Sequence, residues 1–130
     1  MPSVCFYFEV HQPYRLRPYS FFDIGAKKDY EDAQQNRDVM RKVAEKCYLP
    51  MNSLLLELIE RHQGRFRVSL SLTGTVLDQF MEYAPEVLDS FRALARTGCV
   101  EFLDETDDHS LACLFSEDEF RSQISRHREK

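Results

Sequence analysis

Three short apolar segments, each separated from the next by two helical stretches, set the tightest limit on the fold of this chain. Phe66-Arg67-Val68-Ser69-Leu70-Ser71-Leu72 alternates with period two, the pattern of a strand with one buried face. Val4 to Phe8 and Cys99-Val100-Glu101-Phe102-Leu103 are likewise rich in β-branched and aromatic residues. Between these segments the period is helical. Val39, Met40, Val43 and Ala44 form one stripe, with Asn36 as the cap and an end near Tyr48, ahead of Pro50. Leu54, Leu55, Leu58 and Ile59 form a second, which Gly64 stops.

Thr73 and Gly74 open a third helix, with Val76, Leu77, Phe80 and Met81 inward. Pro85 stands in the first turn of a fourth, whose stripe is Val87, Leu88, Phe91, Leu94 and Ala95 and whose stop is Gly98. Ser116-Glu117-Asp118-Glu119 is a capping box, and the helix it opens carries Phe120 and Ile124 on one side. Strands alternating with helices pair in parallel through right-handed crossovers. The expected class is therefore α/β, three parallel strands with flanking helices. Three such strands leave two open edges, whereas parallel sheets are normally covered. The segment is expected to be the first third or so of a larger α/β domain of barrel size.

Composition narrows the function classes. A chain of 130 residues, 43% hydrophobic, is at most one ordinary domain and can bury a core without metals or disulfides. Its 17 basic and 22 acidic residues give a net charge of −5, which argues against a nucleic-acid partner. The apolar run at the N-terminus is broken at Glu9, too soon for a signal peptide or a membrane span, so a cytoplasmic protein is expected. Cys5, Cys47, Cys99 and Cys113 contain no C-x-x-C pairing and read as reduced, structural thiols, with Cys5 and Cys99 acting as small hydrophobes.

The chemistry-bearing stretch is Phe8-Glu9-Val10-His11-Gln12-Pro13-Tyr14-Arg15-Leu16-Arg17, where a buried strand surfaces and Pro13 and Pro18 forbid its continuation. Arg15 and Arg17 form its only basic pair, thin ground for a phosphate site. A long excursion follows through Phe21, Phe22 and the polar residues 26–32. Its aromatic residues (Tyr14, Tyr19, Phe21, Phe22, Tyr30) are expected to pack onto the domain, or for some of them to line a cleft. A second polar cluster, Glu101 through His109, follows the last strand. In a parallel sheet both clusters emerge on the same rim, where ligands bind in such folds.

Three chemistries compete for that rim. Metal binding would recruit His11 and His109, yet neither H-x-H nor H-E-x-x-H occurs. A nucleophilic triad lacks its G-x-S-x-G elbow. Paired carboxylates for glycoside cleavage remain. With strands about 4.8 Å apart, Glu9 and Glu101 would be separated by about 10 Å in a sequential sheet. A retaining pair needs roughly 5 Å. These residues suit gripping a sugar better than cleaving one.

His11-Gln12-Pro13 after Phe8-Glu9 resembles the first conserved motif of glycoside hydrolase family 57, the α-amylase and 4-α-glucanotransferase group. Gly98-Cys99-Val100-Glu101-Phe102-Leu103, running on to His109-Ser110-Leu111, resembles the second. Tyr48-Leu49-Pro50 and Ala84-Pro85-Glu86-Val87-Leu88 also look like the amylase-type branch, so the resemblance spans essentially the whole chain. It implies an incomplete (β/α)7-type barrel, of which residues 1–130 are the N-terminal segment, acting on α-1,4-glucans with retention and no metal cofactor. By motif position, His11 and Glu101 would line the subsites nearest the cleaved bond, with Gln12 and His109 as further substrate contacts.

The family's nucleophile, a Glu, and its acid/base, an Asp, belong to later motifs, so no catalytic residue is assigned within these residues and the segment alone should be inactive. Relatives commonly carry an aromatic residue near the position of Asp107. The two acids Asp107-Asp108 found here should favour protonation of His109 and remove a sugar-stacking surface. Two rival readings are a metal-dependent deacetylase-like barrel using His11 and His109, and a non-catalytic carbohydrate-binding fragment.

Overall fold

A computed structural model describes residues 4–26 and 30–130. Strands β1 (Tyr7–Val10), β2 (Val68–Leu72) and β3 (Val100–Leu103) form one parallel sheet in the order β1-β2-β3. Tyr7 pairs with Ser69 and Ser69 with Glu101; two residues on, Glu9 pairs with Ser71 and Ser71 with Leu103. Alternation then sorts the side chains. Val10, Val68, Leu70 and Leu72 turn into a single apolar core, joined by half-buried Phe8 and Val100. Tyr7, Glu9, Ser69, Ser71 and Glu101 share the opposite face, where Tyr7 Oη lies 2.8 Å from Ser71 Oγ. That polar face explains a shift of β1 from the expected Val4–Phe8. Glu9 falls on the uncovered side, so its charge does not end the strand, and Val4 and Phe6 are left exposed.

Five helices follow the strands: α1 (Ala33–Val43), α2 (Leu49–Arg61), α3 (Gly74–Tyr83), α4 (Pro85–Arg96) and α5 (Glu117–Arg128). Phe80 is fully buried, edge-on to Tyr48 at 5.3 Å and stacked with Phe91 at 5.8 Å, tying α3 to the chain before α2 and to α4. Burying an apolar side chain of that size stabilises the fold by roughly 1.5–3 kcal/mol. The first helix begins earlier than the stripe suggests. Asp32 caps it, its carboxylate accepting from the Gln35 N–H at 2.9 Å, while Asn36 is fully buried inside. Nor does it break before Pro50. A wide turn over Ala44–Tyr48 carries α1 into α2, with the Leu49 N–H reaching back to the Ala44 carbonyl. Pro50, in the first turn of α2, has no N–H to be stranded there.

Not every residue in the apolar stripes is covered. Leu54 is exposed, and Leu77, Met81, Leu88, Ala95, Phe102 and Leu103 line an open groove of about 350 Å³ beside β3. The excursion after β1 is pinned at its base, where Arg17 donates to Tyr30 at 2.9 Å and Asp32 to Arg15 at 2.8 Å. Tyr14 is half-buried, but Phe21 and Phe22 do not pack down as expected: they are 80% and 88% exposed, edge to face with each other at 5.9 Å. A short turn, Phe21–Asp23, presents them, held by the Ser20 hydroxyl donating to Asp23 at 2.8 Å. Residues 27–29 of that polar stretch lie outside the described residues. All four cysteines are free, and Cys5 is exposed, not packed as a small hydrophobe; Cys99 is buried. No described helix is long and apolar enough to cross a membrane.

Candidate functional site

The three strands end side by side, and each hands its chain to a polar loop. His11 follows β1 directly, Thr73 follows β2 and caps α3 by accepting from the Val76 N–H at 3.2 Å, and the loop 104–109 follows β3. Two features bring that last loop back over the sheet. His109 adopts a left-handed backbone (φ 51°), and its N–H closes a turn onto the Thr106 carbonyl at 3.0 Å. Gly74 leaves room beneath: a Cβ there would lie 1.6 Å from Asp107 Oδ1. With only hydrogen in that space, the Thr75 N–H donates to the Asp107 carbonyl at 3.1 Å, and the loop sits on the first turn of α3.

The result is an imidazole pair at the rim. The rings of His11 and His109 stack with centroids 4.3 Å apart and planes 25° from parallel. His109 bridges two carboxylates, with Nε2 3.1 Å from Glu9 Oε1 and Nδ1 3.4 Å from Glu105 Oε2. Only a doubly protonated ring can donate both bonds at once. His11 Nδ1 lies 3.0 Å from Thr73 Oγ1. Burial and then the neighbouring His109 hold the His11 pKa below its ordinary value, Glu9 opposing and Arg15 adding to the fall. Burial raises the Glu105 pKa, and its bond to His109 pulls the other way.

Gln12 is fixed from both ends. Its Nε2 donates to Tyr48 Oη at 3.3 Å, its Oε1 accepts from Arg15 at 2.7 Å, and its carbonyl accepts from Gln79 Nε2 at 2.6 Å. The Tyr48 phenol is pushed upward by burial, so it stays a hydroxyl and can accept. Arg15 also donates to the Pro13 carbonyl at 2.8 Å, while its backbone N–H is held by Asn36 Oδ1 at 2.8 Å. That guanidinium serves the loop's own structure.

Of the four residues singled out from sequence, His11, Gln12 and His109 meet at the rim, and Glu101 does not. Glu101 sits two residues back from the end of β3 on the open face, accepting from the Ser69 hydroxyl at 3.2 Å. Asp107 is likewise not beside the His109 ring. It is buried, with its carboxylate 3.0 Å from Lys130 Nζ and 3.7 Å from Arg126 Nε, so the acids that face His109 are Glu9 and Glu105.

Glu105, Thr73, Asn36 and Gln79 were not singled out as site residues from sequence, although Asn36 and Thr73 were read as helix starts. A signal existed for two of them. Gln79 lies in phase with Val76 and Phe80, and Asn36 with Met40; a polar residue on an apolar stripe must be buried and bonded. A metal could draw on Glu9, Glu105 and His109, whose donor atoms fall within 4.8 Å of one another. His11, the partner of His109 in the deacetylase-like reading, is not in that group; its ring stacks face to face on the His109 ring.

A parallel α/β sheet with acids and imidazoles gathered at its strand ends is the ground plan of a ligand-binding or catalytic rim. The Glycosyl hydrolase family 57 model matches residues 5–130, and the chain belongs to that family. It is 44% identical over 131 residues to a Methanocaldococcus jannaschii protein described as "Putative alpha-amylase", a match covering 96% of this chain and 27% of that protein. The chain thus spans about a quarter of the length of that curated relative. No solved structure matches it.

Proposed function

We propose that these residues are the N-terminal part of a retaining glycoside hydrolase or transglycosylase acting on α-1,4-glucans, and that the rim grips the sugar without cleaving it. The stacked His11–His109 pair is the observation that carries this reading, set on the motifs that resemble the family's first two. The His11 imidazole, the Gln12 amide and the Glu9 carboxylate supply the mixture of donors and acceptors that sugar hydroxyls require. Glu101, on the open face one pleat below, would meet a ligand that reaches into the barrel interior.

In the proposed (β/α)7-type barrel that open face turns inward, which accounts for its Tyr, Ser and Glu content. The groove beside β3 would be covered by the next strand and helix. The nucleophile and the acid/base would come from later strand ends, and the cytoplasm is the proposed location. Neither the third nor the fourth family motif occurs within these 130 residues. Incubated with maltoheptaose, the chain is therefore expected to release no shorter oligosaccharide by chromatography. Turnover by the pure chain would overturn the assignment of bond cleavage to residues outside it.

A further inference from the structure

Three polar side chains that are entirely buried all hold the first rim loop. Thr73 meets the His11 ring, Gln79 the Gln12 carbonyl, and Asn36 the Arg15 N–H. The Thr73 contact carries a chemical choice. Its hydroxyl has one proton and two lone pairs. One lone pair takes the Val76 N–H at 3.2 Å. The proton and the remaining lone pair are divided between His11 Nδ1 and Thr75 Oγ1, each 3.0 Å away. Either Thr73 donates to His11 and accepts from Thr75, or both bonds run the other way.

The N-terminus of α3 decides between them. Its first-turn N–H groups carry partial positive charge, which favours an electron-rich lone pair at Nδ1 over an N–H directed at the same hydroxyl. We propose that Thr73 is a positioning residue that holds His11 as the neutral Nε2–H tautomer, its Nδ1 accepting from the Thr73 hydroxyl and its Nε2–H free for a ligand. Among the described residues no hydrogen bond uses His11 Nε2.

The rim then presents a neutral single donor in His11, stacked on a second imidazole that lies between Glu9 and Glu105. A ligand oxygen at Nε2 would be met without a net charge, which suits a hydroxyl or ring oxygen better than a carboxylate or phosphate. The tautomer is a property of the free chain. Its use as a sugar donor rests on the function proposed above.

The test is nitrogen-15 NMR of the histidine-labelled 130-residue chain near neutral pH, with the His11 signals assigned through His11→Gln. The expected spectrum has an unprotonated Nδ1 and a protonated Nε2 at His11, retained in Thr73→Ser. Thr73→Asp keeps an effective helix cap but offers only acceptors, so it should invert the pattern and protonate Nδ1. Thr73→Val should lose the preference and give an averaged pair of shifts. A protonated Nδ1 in the unmodified chain, or an unchanged pattern in a folded Thr73→Asp, overturns the proposal. Adding maltoheptaose afterwards separates the two claims: an Nε2–H tautomer with no response to sugar leaves Thr73 in its role and removes the glucan reading.

Discussion

At the scale of single residues, the rim depends on what is left out of Gly74. A Cβ there would press on the Asp107 carboxylate at 1.6 Å and on its carbonyl oxygen at 2.8 Å. Gly→Ala at an unobstructed helical position stabilises by about 0.4–1 kcal/mol. Here the crowding should reverse the sign, and Gly74→Ala is expected to cost about 1–3 kcal/mol in urea unfolding. A neutral or stabilising result would show that the loop 104–109 does not rest on α3.

His11 gives a second residue-scale expectation. Its folded pKa is lowered, chiefly by burial, whereas the unfolded chain takes up the proton near 6.5. Between those two values the unfolded state binds more protons, so stability rises with pH across that window and is lost on acidification. Urea midpoints taken between about pH 8 and about pH 5 should fall more steeply for the native chain than for His11→Gln. Equal slopes would contradict the burial of this ring.

At the scale of elements, the helices differ in what attaches them. The apolar core binds α1 to α4, whereas α5 is held mainly by polar contacts: His127 Nε2–H donates to the Leu72 carbonyl at 2.6 Å, Lys130 meets Asp78 at 2.7 Å, Arg126 meets Asp108 at 3.0 Å, and Arg128 meets Asp104 at 2.5 Å. Exposed ion pairs contribute about 0–1 kcal/mol each and weaken as salt shortens the screening length. Amide exchange in α5 should therefore accelerate in molar salt while α3 and α4 keep their protection. Uniform behaviour across these helices would contradict a predominantly ionic attachment.

Elements were legible in the sequence wherever local chemistry decides the outcome. Pro85 opens α4, Ser116 caps α5 by accepting from the Glu119 N–H, and Gly64 ends α2 with φ 75°. Tertiary context decided the rest. Pro50 lies in a helix because a wide turn precedes it, and Glu9 lies in a strand because its face is open. Of the site, His11, Gln12 and His109 were visible as a post-strand pattern. The close stack was not, because it requires the left-handed turn at His109 and the gap at Gly74, both set by neighbours distant in sequence.

At the scale of the whole molecule, the side of the sheet at β3 is apolar and open. Beside the free edge of β3 runs the groove lined by Leu77, Met81, Leu88 and Phe102, in which Leu77 and Leu88 are only partly covered and Met81 and Phe102 are exposed. The match covers 27% of the Methanocaldococcus jannaschii relative. On the proposed reading, these residues contribute one arc of a sugar-binding rim and the remaining strands contribute the chemistry.

The central claim, that the His11–His109 rim is a sugar site, is tested most directly by following the histidine and glutamine side-chain NMR signals of the chain during titration with maltoheptaose. A millimolar dissociation constant, about −4 kcal/mol, is ample for an isolated arc of a site. The account predicts saturable shifts at His11, His109 and Gln12, with His62, at the C-terminal end of α2, unmoved. Shifts that are absent, or spread evenly over all four histidines, would contradict it.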